Sequence, residues 1–243
     1  MTKFSVNLNK FALLRNSRGN NNPDVLGIAR RCVARGVHGI TVHPRPDERH
    51  TRFSDVTELA AYLKTEPQVE FNVEGYPTAD FLALVERAKP HQCTLVPDAP
   101  GQLTSDHGWD AVRHQALLAE VVTRLQGHGI RVSLFLDPDL EQVEAAARTG
   151  VARIELYTEP YARAFGTEAQ PAVLERFAGA AARAHQLGLG VNAGHDLNQQ
   201  NLGPFLASVP SVLEVSIGHA VVCEALDAGL EPTLDRYLAI INK

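Results

Sequence analysis

Residues 131–159 read RVSLFLDPDLEQVEAAARTGVARIELYTE. The stretch opens on an apolar, β-branched run, RVSLFLDP (131–138), and takes up a helical period over 139–149. It breaks at Gly150 and resumes as a second apolar run, RIELYTE (153–159). A strand, a helix closed by glycine and a second strand make the unit that joins parallel strands by a crossover helix.

The same alternation extends in both directions. Strand-like runs fall at KFSVNLN (3–9), GITVHP (39–44), VEFNVEG (69–75), QCTLVP (92–97), GLGVNAGH (188–195) and LEVSIGHA (213–220), which brings the strands to eight. Helical stretches fall at 23–36, 54–64, 78–88, 109–128, 139–149, 172–187 and 199–208, with 221–228 and 232–242 after the last strand. Asn22-Pro23 and Thr78 mark helix starts, and Gly36, Gly129, Gly150 and Gly188 stand just past helix ends. Eight parallel strands either close into a barrel or open into a doubly wound sheet. An open sheet usually carries a glycine-rich phosphate loop after its first strand, and NLNKFALLRNSRG holds neither GxGxxG nor GxxxxGK. The expectation is an α/β fold, a (β/α)8 TIM barrel with extra helices, formed as a single domain over 1–243.

Composition agrees with that size and class. The 243 residues are 44% hydrophobic and 21% charged, as in ordinary globular chains. No apolar run reaches the roughly 20 residues of a membrane span, and the N-terminus shows no signal-peptide core, so a cytoplasmic protein without membrane partners is expected. Cys32, Cys93 and Cys223 are widely spaced and lack CxxC, so they are read as buried packing residues. A net charge of −5 argues against nucleic acid as partner. The charge is unevenly spread: residues 1–50 hold nine Lys/Arg against three Asp/Glu, and the remaining 193 hold 14 against 25. A local cationic patch in an acidic chain suits a small anionic ligand, or is simply a solvated basic face.

Polar residues gather at the ends of the apolar runs. They are Asn7 and Asn9 on the first, His43 and Arg45 on the second, Glu74 on the third, Glu155 in the sixth, His195 on the seventh and Gly218-His219 on the eighth. A barrel brings all of these to one mouth, where barrel enzymes keep their chemistry. The connections 10–22, 45–53, 98–108 and 159–171 all follow strand ends and exceed the usual loop length, which marks the same face. Glu74 and Glu155 interrupt apolar strands, where a carboxylate is costly unless paired or used. HPRPDERH puts His43, Arg45, Arg49 and His50 in a proline-braced loop suited to gripping phosphate; the competing reading is a turn salt-bridged by Asp47 and Glu48. Gly218 before a helix start supplies backbone N–H groups for a second phosphate. His38, His91, His107, His114, His128 and His185 fall at helix ends or loops and are read as structural or surface residues. An HExxH pattern, an HxH pair on the first strand and acidic clusters are all absent, so no metal and no cofactor are expected. His43, Glu74 and His195 then carry acid–base chemistry.

The ordered set VNLNKFALLRNSRG, GITVHPRPDERH, FNVEGYP, TLVPD, RIELYTE, VNAGHDL and SIGHA resembles the pyridoxine 5′-phosphate synthase family along essentially the whole chain. The resemblance implies a homo-octameric barrel transferase that joins 3-amino-2-oxopropyl phosphate to 1-deoxy-D-xylulose 5-phosphate, closing the pyridine ring of vitamin B6. It makes His43 and Glu74 proton acceptors, His195 a proton donor and Glu155 a transition-state stabiliser. Asn7, Arg18, Asp196, Gly218 and His219 would hold the amino-ketone phosphate; Asn9, Lys10, Arg45, His50 and Thr104 would hold the deoxyxylulose phosphate. Many members have Asp-His where this chain has Asn9-Lys10, and Gly where it has Asp196. Lys10 also opens a rival reading, a Schiff-base aldolase acting on a sugar phosphate. A non-catalytic barrel that binds a phosphate metabolite is the other alternative.

Overall fold

The computed structural model describes residues 1–98 and 105–242. Eight parallel strands close in chain order into a barrel: β1 (Lys3–Asn7), β2 (Gly39–Val42), β3 (Glu70–Gly75), β4 (Gln92–Leu95), β5 (Arg131–Leu136), β6 (Arg153–Tyr157), β7 (Gly190–Gly194) and β8 (Val212–Ile217). Every strand read from the sequence is present, and most stop two or three residues earlier, because the polar residues at their ends belong to loops or helix starts.

Eleven helices occur among the described residues: α1 (Asn9–Asn16), α2 (Val25–Ala34), α3 (Phe53–Leu63), α4 (Ala79–Ala88), α5 (Gln115–Gly127), α6 (Leu140–Arg148), α7 (Glu159–Ala164), α8 (Gln170–Gln186), α9 (Leu202–Ser208), α10 (His219–Ala228) and α11 (Leu230–Ile241). Two of them, α1 and α7, occupy segments expected to be loops. Both are short, and α1 leaves Leu13 and Leu14 exposed while burying Arg15, so its hydrophobic stripe is broken. The helix expected over 109–128 begins only at Gln115. Thr78 caps α4, its hydroxyl accepting the Phe81 N–H at 3.2 Å. Gly150 and Gly188 end α6 and α8 with φ of +78° and +77°, a conformation glycine adopts without strain.

The apolar core lies between the sheet and the helices. Alternate strand residues such as Phe4, Val6, Ile40, Val42, Phe71, Val73 and Leu95 face outward into it. The other alternation lines the barrel and is polar. Ser5 and Thr41 hydroxyls lie 2.8 Å apart, Thr94 Oγ1 donates to Asn72 Oδ1 at 3.1 Å, and Thr94 also reaches Glu155 Oε2 at 3.5 Å. Barrel interiors are usually filled by branched aliphatic side chains, so this one is unusual. Toward the N-terminal end of the strands, Glu70 accepts from Lys3 at 2.7 Å and from Arg131 at 2.6 Å, and Glu214 lies 3.9 Å from Arg153. Cys32 and Cys93 are buried as expected, but Cys223 is exposed on α10. That exposure overturns the packing role read for it.

Candidate active site

The mouth is organised by the chain leaving β1. Asn7, the last residue of that strand, donates from Nδ2 to Glu74 Oε2 at 3.3 Å, and its Oδ1 accepts the Asn9 N–H at 3.0 Å. Asn9 opens α1, and its Oδ1 accepts both the His43 N–H at 2.8 Å and the Thr51 hydroxyl at 2.5 Å. Two asparagines therefore lace the ends of β1, β2 and β3 together. Asn9 works here as a brace for the loop that carries His43, in addition to whatever it offers a ligand.

That loop is anchored from α1. Arg15, almost wholly buried, pairs with Asp55 through both guanidinium nitrogens at 2.6 and 2.9 Å and donates to the His50 carbonyl at 3.2 Å. Asn16 Nδ2 lies within 3.0 Å of the carbonyls of Glu48 and Arg49 and 2.7 Å from that of His50. Arg45 forms a buried ion pair with Asp98, and His43 Nε2 lies 4.0 Å from the same carboxylate. Arg49 pairs with Asp47 at 2.7 Å, so part of the salt-bridged turn is real. Glu48 instead accepts the Phe53 N–H at the start of α3.

Electrostatics separate the titratable groups. Burial first, then the charges of Arg45, His50 and Arg49, hold His43 well below the usual histidine range, so its imidazole is neutral near pH 7. His50 is pushed down to about 4 by burial and by Arg45 and Lys10. Its Nδ1 accepts the Thr51 N–H at 3.0 Å, which places the ring proton on Nε2. Burial, and the negative charge of Glu155 and Asp98, drive Glu74 well above the ordinary carboxylate range. Glu155 rises to about 8 through burial and the nearby Glu214. Two buried carboxyls that repel one another do not both ionise at neutral pH, so the pair holds a proton that it can give or take.

On the opposite side of the mouth, His195 and Asp196 follow β7, with His195 Nδ1 2.8 Å from Asp196 Oδ2. Asp196, His219, Asn198, Glu159 and Arg163 line a depression of about 320 Å³. Lys10 lies close enough for its charge to act on both His50 and Asp196, which places it between the two halves. Gly218 packs against Asn7: a Cβ there would come within 3.0 Å of the Asn7 carbonyl oxygen. Helix α10 starts immediately afterwards, with His219 exposed at its N-terminus.

Of the residues singled out from sequence, Asn7, Asn9, Lys10, His43, Arg45, His50, Glu74, Glu155, His195, Asp196, Gly218 and His219 all converge on this mouth. Arg18 lies exposed in the connection beyond α1, with no side-chain partner among the described residues. Thr104 lies outside the described residues. Asp98 and Glu214 were missed. Asp98 closes the quoted motif TLVPD, but its pairing with Arg45 spans 53 positions and no local spacing reveals it. A cleft of about 590 Å³ opens beside His43 and Arg45, walled by Tyr76, Trp109 and His114. His107 and His114, read as structural or surface residues, line it.

Fold and mouth together define a barrel enzyme equipped for proton transfer beside cationic and N–H-rich groups. A family model described as pyridoxal phosphate biosynthesis protein PdxJ matches residues 4–243. A pyridoxine 5′-phosphate synthase of Cytophaga hutchinsonii is 51% identical over 243 residues, covering both chains completely. One from Xanthomonas campestris pv. campestris is 55% identical, covering 99% of this chain and 96% of the relative. The chain belongs to the PdxJ family. Among solved structures, 3-keto-L-gulonate-6-phosphate decarboxylase of Vibrio cholerae is similar with a TM-score of 0.63 at 12% identity, over 97% of this chain and 98% of the other. A phosphoribosylanthranilate isomerase from Thermotoga maritima is similar with a TM-score of 0.59 at 12% identity, over 99% of this chain and 98% of the other. At such identity the likeness is one of fold.

Proposed function

We propose that the protein condenses 3-amino-2-oxopropyl phosphate with 1-deoxy-D-xylulose 5-phosphate to give pyridoxine 5′-phosphate, releasing phosphate and water by acid–base catalysis. The observation that carries this reading is the match to the PdxJ family over 4–243, with His43, Glu74 and His195 intact at one barrel mouth. In this reading the neutral His43 and the high-affinity Glu74 carboxyl take protons, His195 gives one, and Glu155 stabilises charge developing deeper in the barrel. Amine–ketone condensation, elimination of phosphate, ring closure and dehydration all need repeated proton movement between fixed groups, and they leave no net redox change.

Two anion sites fit two phosphorylated substrates. Arg45, His50, Lys10, Asn9 and Thr104 are assigned to the deoxyxylulose phosphate. Asn7, Gly218, His219, Asp196 and Arg18 are assigned to the amino-ketone phosphate, with the α10 N-terminus supporting that assignment. We further propose that the whole chain works as one cytoplasmic barrel domain and that copies associate, as an octamer by resemblance. The exposed pair Leu13 and Leu14 on α1 supports association.

The test is direct. Purified protein given both substrates, without added metal or nucleotide, should release inorganic phosphate and form pyridoxine 5′-phosphate in equal amounts. Binding of both substrates without product would overturn the reading.

A further inference from the structure

The turn after β7 places two consecutive non-glycine residues in the left-handed region, His195 at φ +87° and Asp196 at +61°. Aspartate is among the side chains that tolerate this conformation, and most others do not. The turn is held from outside. The buried Thr158 hydroxyl packs against the carbonyls of Gly194 and His195, and Asn201 Nδ2 donates to the Asp196 carbonyl at 3.1 Å. Tyr161 fixes Asn201 in turn, its hydroxyl donating to the Asn201 carbonyl at 2.8 Å. The consequence is a defined imidazole. Asp196 Oδ2 sits 2.8 Å from His195 Nδ1, and the Tyr157 ring packs edge-on at 5.1 Å between centroids.

We propose that Asp196 is a positioning residue for His195: its carboxylate takes the Nδ1–H hydrogen bond and fixes the ring, which leaves Nε2 to present the transferable proton. The catalytic meaning of this pair rests on the function proposed above, whereas the pairing itself does not. The surrounding charges are mixed. His195 itself, then His219 from α10 and Lys10 from α1, keep Asp196 below the usual carboxylate range against a burial cost. From β6, Tyr157 is pushed up to about 12 by burial and by Glu159, Asp196, Asp106 and Asp137, so the hydroxyl near the imidazole is neutral. The pair is partly exposed, with side-chain accessibilities of 26% and 37%, so it adds little to folding and its value lies in orientation and charge.

Histidine-ring 15N NMR of labelled protein at a single pH tests this, with the His195 signal assigned by its loss in His195→Gln. Asp196→Asn and Asp196→Gly are both compatible with φ +61°. In the wild type the His195 ring should carry a hydrogen-bonded proton on Nδ1; Asp196→Gly should lose that signature and Asp196→Asn should keep a weaker form of it. The kcat should fall about tenfold in Asp196→Gly and less in Asp196→Asn, whose amide oxygen still accepts the bond. KM for the amino-ketone phosphate should stay level or drop, because a carboxylate has left an anion site. An unchanged His195 Nδ1 signal in Asp196→Gly overturns the inference. So does a raised KM with kcat intact, which would make Asp196 a substrate-binding group only. A wild-type protein that turns nothing over while the NMR signature appears would overturn the proposed reaction and leave the pairing standing.

Discussion

Asn7 reaches across the end of β2 to donate to Glu74, so the first strand fixes the carboxyl of the third at 3.3 Å. Glu74 is buried, and its neighbours Glu155 and Asp98 make its ionised form costly. Glu74→Gln preserves shape and a hydrogen-bond acceptor but cannot exchange a proton. It should lower kcat by about 10²–10⁴-fold while leaving the melting temperature equal or higher. A variant that unfolds while activity per folded molecule survives would make Glu74 structural.

Stability should fall on the alkaline side because of Glu155. Its pKa rises from about 4.5 in the unfolded chain to about 8 in the fold, so the folded state holds the proton more tightly. That contribution is complete below about pH 4.5 and is lost as pH rises toward 8, at about 2 kcal/mol between pH 6.5 and 8. His50 acts in the opposite direction: its pKa falls to about 4, so its cost to folding appears as pH drops below about 6.5. Denaturant melts of Glu155→Gln between pH 6.5 and 8 should show a shallower alkaline slope, the remainder coming from Glu74 and Glu214, whose carboxyls burial also raises. An unchanged slope would mean that the proton resides elsewhere.

Asn16 ties three consecutive carbonyls of the loop that bears Arg45 and His50, while accepting from Arg52 at 2.9 Å and Arg15 at 3.0 Å. Asn16→Ala should cost about 1–3 kcal/mol of stability and raise KM for the deoxyxylulose phosphate, with kcat little changed. Steady-state kinetics with each substrate varied in turn will separate this from a rise in KM for the amino-ketone phosphate, which would place that substrate at this loop instead.

Gly194 stands where a Cβ would fall 2.4 Å from Glu155 Oε1 and 3.1 Å from the Ser216 carbonyl oxygen. Gly194→Ala must displace the Glu155 carboxyl, so kcat should fall at least tenfold if that carboxyl stabilises the transition state, as loss of one such group usually costs 10²–10³-fold. Normal kcat in a folded variant would remove Glu155 from the chemistry.

Strand order and most helix ends were legible because they depend on local pattern: apolar runs, glycine stops and the Thr78 cap. The polar barrel lining was harder to see. Ser5, Thr41, Asn72 and Thr94 alternate with apolar neighbours, and the apolar half alone is enough to mark each strand. Their hydrogen bonds run between strands and appear only when the sheet closes. The mouth residues were visible because they sit at strand ends. The pairings that give them their properties, Arg45 with Asp98 and Arg15 with Asp55, join distant positions and were not. Asp196 stands out in the sequence only as a departure from the Gly of many family members, and the left-handed turn after β7 shows that its carboxylate faces His195.

The most direct test of the account is a single-turnover assay with both substrates, following phosphate release and pyridoxine 5′-phosphate together in wild type and Glu74→Gln. The wild type should give stoichiometric phosphate and product, and the variant should lose both by about 10²-fold or more. Product formation at the wild-type rate in the variant would contradict it. So would a borohydride-trapped substrate adduct on Lys10 in place of the ring-closed product.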